Sequence, residues 1–193
     1  MGLLHHSDEK AWDLYRNGDD NMLGTIYSVH ASALYRYGLK FTRNFSLVED
    51  AIQEIFLELS KNRKTVGRTD NISRYLFKSF RRKLFRLLER EKRYDRGSKI
   101  DDYSFEVRYT IEHEMILDES IEIRMTCYRK ALQELSPRQK EIIYLKYTSG
   151  LDYEEISEIM GMSIESCRNL LCRAIKTLKR VIYKNNNPSA RLL

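Results

Sequence analysis

Six polar side chains toward the C-terminal end, Ser163, Glu165, Ser166, Arg168, Asn169 and Arg173, are the groups in this sequence best suited to reading another molecule. Hydroxyl, amide and guanidinium groups carry donors and acceptors that pair with base edges, and an arginine can instead neutralise a phosphate. Ser166, Arg168 and Asn169 are placed to reach base edges in a major groove, and Arg173 a phosphate. That chemistry requires a helix presenting them on one side, and the stretch from Leu151 to Ala174, LDYEEISEIMGMSIESCRNLLCRA, supplies one. Asp152, with Glu155 three residues on, makes a capping box for a helix from about Tyr153 to Met160, striped by Ile156, Ile159 and Met160. Gly161 falls where the chain must turn sharply, because a residue without a β-carbon enters the left-handed region at little cost. Ser163 then caps a second helix, whose stripe of Cys167, Leu171, Ala174, Ile175 and Leu178 leaves Glu165, Ser166, Arg168, Asn169 and Arg173 largely outside. Helix, glycine turn, helix describes both the bihelical DNA-reading motif and an ordinary antiparallel helix pair. The small Ser157 at the crossing, the three-residue turn and the cations Arg168, Arg173, Lys176, Lys179 and Arg180 favour the first, since duplex affinity comes mostly from phosphate neutralisation.

A second concentration of chemistry lies in the first half. The pattern predicts a helix from about Ile72 to Arg93, with Tyr75, Leu76, Phe80, Leu84, Leu87 and Leu88 on or near one side. Lys78, Arg81, Arg82, Lys83, Arg86, Arg90, Lys92 and Arg93 occupy much of the remainder. Cations meet phosphates and aromatic faces stack on bases that have left the duplex, so Tyr75, Lys78, Arg81, Arg82 and Arg86 are candidates for nucleic acid; a solvated basic helix has the same pattern. The helix before it, opened by Ser46 with Glu49 as capping partner, buries Val48, Ile52, Ile55, Phe56 and Leu59 and exposes Glu49, Asp50, Gln53, Glu54 and Glu58. An acidic face in a basic chain is either solvated or a docking surface for a basic partner, and periodicity does not choose between them.

The elements that must position these groups are all helical. Two Pro and eight Gly in 193 residues leave few breaks, and 42% hydrophobic with 32% charged residues suits a helix-rich chain of one domain or two small ones. Residues 8 to 37 hold two helices separated by Asn17-Gly18-Asp19-Asp20, with Trp12, Leu14 and Tyr15 and then Leu23, Ile26, Tyr27, Leu34 and Tyr35 as core. Lys61 to Asn71 reads as a loop, and Tyr94 to about Ile121 as a linker with weak helical pattern. A helix over Ile121 to Glu134 follows, then Ser136-Pro137-Arg138-Gln139 as a second capping box, with Ser149-Gly150 ending that element and a frayed tail after Tyr183.

Composition narrows the partners. Lys plus Arg number 34 against 28 acidic residues, a net charge of +6 that fits a polyanion. No apolar run approaches the roughly 20 residues of a membrane span. The N-terminal MGLLHHSDEK lacks a secretory pattern, and His6 stands where myristoylation needs Ser or Thr, so a cytoplasmic protein without membrane insertion is expected. The three cysteines, Cys127, Cys167 and Cys172, form no CxxC pair and the four histidines are scattered, which predicts a reducing compartment and no metal site. There is no phosphate-cradling glycine loop and no nucleophile with an evident base, so neither cofactor, small-molecule substrate nor catalysis is expected.

In their order along the chain these parts resemble the extracytoplasmic-function class of bacterial sigma factors, of the sigma-70 family. The resemblance is carried by Gly18-Asp19, by Glu49-Asp50-Ala51-Ile52-Gln53-Glu54-Ile55-Phe56, by Tyr75-Leu76-Phe77 leading into the basic helix, by Leu135-Ser136-Pro137-Arg138-Gln139, by Tyr153-Glu154-Glu155-Ile156 and by Arg173-Ala174. It implies an all-α fold of two small helical domains: a region 2-like domain over 8–95, a linker over 96–120, and a region 4-like helix-turn-helix domain over 121–184. It also implies core RNA polymerase as partner, docked through Asp50, Gln53 and Glu54, and promoter DNA, with the minus-10 element captured as single strand by about Lys64 to Arg93 and the minus-35 element read as duplex. An anti-sigma protein is a further partner common in such a family. The chain departs from the family pattern at Ser60 and Tyr75, where Trp is frequent, at Arg82 and Arg86, where Asn and Asp are frequent, and at Leu170, where Arg is common. A stand-alone helix-turn-helix regulator of duplex operators is the other reading; it leaves the acidic face and the basic aromatic helix without a role.

Overall fold

The computed structural model describes residues 2–94, 104–106, 126 and 128–186, and among these residues there is helix and turn but no strand. The chain divides into two compact units, as an all-α, two-domain reading requires. The first holds α1 (Gly2–Arg16), α2 (Asp20–Gly38), α3 (Phe45–Asn62) and α4 (Ile72–Tyr94). Gly18, at φ +114°, turns the chain into α2, which Asp19 caps by accepting from the N–H groups of Asn21 and Met22. α3 begins earlier than the capping pattern predicts: Asn44, not Ser46, is its N-cap and accepts from the Leu47 N–H at 3.2 Å. Asparagine caps as well as serine, and starting there adds two residues, about half a turn, to α3. The buried Asn71 caps α4, accepting from the Arg74 N–H at 2.8 Å.

α2 packs on α3 and α4, α3 on α4, and α1 on α2 and α4. Trp12, Tyr15, Leu34, Tyr37, Phe80 and Leu84 are fully buried, and Val48, Ile52, Ile55, Phe56 and Leu59 line the inner side of α3 as its periodicity predicts. Tyr37 sits at the centre of an aromatic group with ring centroids 5.0 Å from Phe41 and 5.2 Å from Phe77. Two expected core residues lie at its edge or outside it. Leu14 is 49% exposed, because two residues from Trp12 on a helix is the opposite side. Tyr27 is 46% exposed and meets Phe56 edge-on at 4.9 Å.

The close approach of α2, α3 and α4 depends on Gly38. A β-carbon there would lie 2.7 Å from Phe80 Cζ and 2.7 Å from Val48 Cγ1, both on side chains with no exposure through which to yield. Gly38→Ala is therefore expected to destabilise the first unit by about 1–3 kcal/mol through overpacking. Alanine's better helix propensity, worth up to about 1 kcal/mol, opposes this only partly. Urea unfolding of both forms measures the difference.

In the second unit, helical residues 128–133 (α5) lead to α6 (Pro137–Ile143). The earlier part of the expected Ile121–Glu134 helix, with Cys127, lies outside the described residues, as does most of 96–120. Phe105 is described: it is buried, with its ring centroid 5.8 Å from that of Tyr144. Ser136 Oγ accepts from the Gln139 N–H at 3.3 Å and the Ser136 N–H donates to Gln139 Oε1 at 2.9 Å, the capping box legible in the sequence. Beyond α6 the helix widens into a π-helical turn, Tyr144–Thr148, closed by the Ser149 N–H on the Tyr144 carbonyl at 3.0 Å. α7 (Tyr153–Met160) and α8 (Ile164–Asn186) complete the unit, and α8 stays helical beyond Tyr183. α6 packs on α8, around Leu132, Leu135 and Ala174.

Candidate nucleic-acid interface

The turn between α7 and α8 is built locally. The Asp152 N–H donates to Glu155 Oε2 at 2.6 Å and the Glu155 N–H to Asp152 Oδ1 at 2.8 Å, with Leu151 and Ile156 buried on either side of the box. Gly161 takes φ +64°, and since an added β-carbon would meet nothing within 4 Å, backbone angle alone demands glycine there. The Met162 N–H closes the turn on the Ser157 carbonyl at 3.0 Å. Ser163 Oγ accepts from the Ser166 N–H at 3.1 Å and donates to Ser166 Oγ at 2.9 Å, so the two hydroxyls begin the helix engaged with each other.

Along α8, Cys167, Leu171 and Ala174 are buried, while Glu165, Ser166, Arg168, Asn169 and Arg173 are exposed, together with Lys176, Lys179 and Arg180. Leu170 is also buried, so that departure from the family pattern adds to the core rather than to the reading face. Two residues escaped the sequence reading. The Tyr153 ring lies 5.5 Å from the Arg168 guanidinium and 4.9 Å from the Lys146 ammonium, and Lys146 donates to the Leu151 carbonyl at 3.0 Å. Cation–π attraction of about 0.5–1 kcal/mol biases Arg168 toward one orientation before any ligand arrives. The π-helical turn that brings Lys146 to this ring has no sequence signature.

In the first unit Lys78, Arg82 and Arg86 are exposed at four-residue steps and form one ridge of α4. Arg81 is half-buried, its guanidinium 4.5 Å from the Phe85 ring centroid. Tyr75 is half-buried, with its ring centroid 4.9 Å from that of Trp12. A cavity of about 110 Å³ between α3, the loop and α4 brings together Asn62, Val66, Tyr75, Arg82 and Arg86. Lys78 and Arg81 are not in its wall.

Lys83, grouped by the sequence with the exposed cations, is 5% exposed. Its ammonium lies 2.8 Å from Glu54 Oε2 and also bonds Glu58 Oε1, which pulls it inward against its intrinsic preference for water. Burial alone would lower the Lys83 pKa, but its bonds to the two carboxylates outweigh that and raise it. The same Lys83 hydrogen bond holds the Glu54 carboxyl below the usual carboxylate range. On the outer face of α3, Asp50 and Gln53 are exposed, while Glu54 is half-buried and committed to α4.

Comparison with known proteins gives this arrangement a family. The family model for Sigma-70 region 2 matches residues 26–94 and that for Sigma-70, region 4 matches residues 125–178. The chain is 26% identical over 165 residues to RNA polymerase sigma factor SigV of Bacillus subtilis (strain 168), covering 86% of this chain and 93% of the relative. It is 24% identical over 164 residues to ECF RNA polymerase sigma factor EcfG of Rhodopseudomonas palustris (strain TIE-1), covering 85% and 84%. The fold matches that of CnrH, solved in complex with the cytosolic domain of CnrY, with TM-score 0.60 at 15% identity over 91% of this chain and 96% of that one. It also matches sigma factor RpoE in complex with the anti-sigma factor NepR from Bartonella quintana, with TM-score 0.58 at 20% identity over 83% and 96%. With both region models matched in chain order and sigma factors aligned along most of its length, the protein belongs to the extracytoplasmic-function class of the sigma-70 family.

Proposed function

We propose that this sigma factor binds core RNA polymerase and directs promoter-specific initiation, with residues 8–95 as the polymerase- and minus-10-binding domain, 96–120 as linker and 121–184 as the minus-35-binding domain. The observation that carries this reading is the pairing, in one chain, of two unlike surfaces rich in cations. A capped helix-turn-helix exposes Arg168, Asn169 and Arg173, and a separate unit sets Tyr75, Arg82 and Arg86 around a cavity. An operator-binding regulator needs only the first. The second suits unpaired DNA, where stacking offsets part of the few kcal/mol spent in unstacking a base.

Within this reading Ser166, Arg168 and Asn169 contact base edges of the minus-35 duplex, Arg173 contacts its backbone, and Ser163 and Glu165 stand at the entry of α8. Tyr75, Lys78, Arg81, Arg82 and Arg86 hold the minus-10 strand. Asp50 and Gln53 meet a basic surface of the polymerase, with Glu54 behind them. Nucleotide addition belongs to the polymerase, so the protein works in the cytoplasm by binding energy alone, without cofactor or small-molecule substrate. An anti-sigma protein covering the same helices is a further expected partner; the similarly folded sigma factor RpoE was solved in complex with the anti-sigma factor NepR.

Run-off transcription with core polymerase on sheared genomic DNA tests the proposal. Adding the protein is expected to yield discrete new starts preceded by a shared two-part sequence. No new starts, together with duplex binding and no association with core, would assign the chain to operator-binding regulators instead.

A further inference from the structure

The segment matched by region 2 begins at residue 26, so α1 lies ahead of it. Yet α1 reaches far along the chain to the loop between α3 and α4. The Trp12 indole N–H donates to the Gly67 carbonyl at 2.9 Å, and Arg16 Nε–H donates to the Val66 carbonyl at 2.9 Å. Asp8 Oδ2 accepts from the Ile72 N–H at 3.1 Å, at the start of α4, and the Tyr15 hydroxyl donates to the Leu59 carbonyl at 2.6 Å, in the last turns of α3. The Trp12 ring also packs on Tyr75 at 4.9 Å. The loop's other holds are local, at its two ends: the Thr65 and Val66 N–H groups donate to the Asn62 carbonyl, Thr69 bonds Asn71 and Asp70 pairs with Arg74, while Lys64, Thr65, Gly67, Arg68 and Asp70 are exposed and Val66 is only half-buried. A segment with so few buried side chains samples many shapes unless its backbone is tied down.

We propose that α1 is the positioning element for strand capture, with Trp12 and Arg16 fixing the loop backbone so that Val66 and Tyr75 stay in register with Arg82 and Arg86 around the cavity. The inference rests on assigning this loop and α4 to the minus-10 strand. Both tethers end on main-chain carbonyls, so they set the loop's shape without occupying the side chains that would face DNA. A loop already in its bound shape loses less entropy when the strand arrives, which appears as tighter capture.

The test uses holoenzyme and promoter DNA whose minus-10 segment is held unpaired by mismatches, with an otherwise identical duplex carrying only the minus-35 element as reference. Trp12→Phe keeps an aromatic ring but removes the donor together with part of the buried indole; Arg16→Met keeps the stem, removes the guanidinium and leaves the buried core untouched. Each is expected to weaken capture of the unpaired segment roughly three- to tenfold, the effect of one lost hydrogen bond, with affinity for the minus-35 duplex and for core unchanged. Ile26→Val, a methyl deletion in the core of the same unit, supplies a comparable stability loss away from the tethers and is expected to leave capture at the wild-type level. Wild-type capture by both tether variants, or an equal loss in Ile26→Val, overturns the positioning role. Unchanged capture in Arg82→Ala and Arg86→Ala would instead overturn the strand assignment beneath it.

Discussion

Replacing Glu54 and Glu58 together by alanine is expected to destabilise the first unit by about 3 kcal/mol, far more than either replacement alone. Lys83 is the reason. Its side chain is 6% exposed and its two anionic acceptors come one turn apart from α3, so removing both strands an ammonium away from water. An uncompensated buried charge costs about 3–5 kcal/mol, and the lower end applies because the carboxylates are themselves half-exposed and water follows them in. A single replacement leaves the other acceptor in place and removes only one charged hydrogen bond. Lys83→Met, which removes the demand together with the cation, is expected to be nearly neutral. The pH dependence has a definite sign. Glu54 titrates below its ordinary 4.5 in the folded state, so its contribution is present above that value and is lost as pH falls through the folded pKa. Lys83 titrates above its ordinary 10.5, so its contribution is present below that value and lost as pH rises through the folded pKa. Urea unfolding at neutral pH should separate wild type from the double variant clearly, and the gap should narrow in acid. A double variant as stable as wild type at pH 7 would remove the brace from the account. This brace also bears on testing the proposed docking face: polymerase affinity lost in a Glu54 variant would report on the α3–α4 packing as well as on any docking, whereas Asp50 and Gln53 make no such brace.

What could be seen in the sequence divides along the range of the forces involved. The Ser136 and Asp152 capping boxes, Gly161 at a positive φ, and the buried stripe of α8 are each set by residues within a turn or two, and each is where local pattern places it. The exposed set Glu165, Ser166, Arg168, Asn169 and Arg173 follows directly, because a fixed stripe fixes its complement. Lys83 was illegible for the opposite reason: three residues after Phe80 and seven after Leu76 it falls on the buried side of α4, but its residue type sorts it with the exposed cations, and the two carboxylates that satisfy it there lie on another helix. The same holds for Arg16 and Trp12, whose bonding partners are main-chain carbonyls that a sequence never displays as acceptors. Tyr153 lay within a recognisable motif, yet its part in orienting Arg168 depends on the π-helical turn that delivers Lys146. Asn44 displaced Ser46 because two equally good caps stood two residues apart and local pattern had no term to rank them.

Arg168 and Arg173 should fail differently on DNA. Both are exposed cations on α8, but five residues apart on a helix places them about 140° around its axis, so one can enter the groove while the other reaches a flanking strand. Arg168 stands in the N-terminal turns that a recognition helix inserts, with its guanidinium biased by the Tyr153 ring. Arg168→Ala is therefore expected to cost about 1–3 kcal/mol on the preferred minus-35 duplex and almost nothing on one altered at the contacted base pair. Arg168→Lys keeps the charge but not the planar fork, and should lose that discrimination while retaining most non-specific affinity. Arg173→Ala should weaken binding to all sequences alike and reduce the slope of log affinity against log salt by about 0.9, the signature of one phosphate contact. Titrations of holoenzyme on the two duplexes at several salt concentrations distinguish the roles. A sequence-independent loss in Arg168→Ala would make it a backbone contact and leave base reading to Ser166 and Asn169; a sequence-dependent loss in Arg173→Ala would turn α8 further into the groove than this geometry supports.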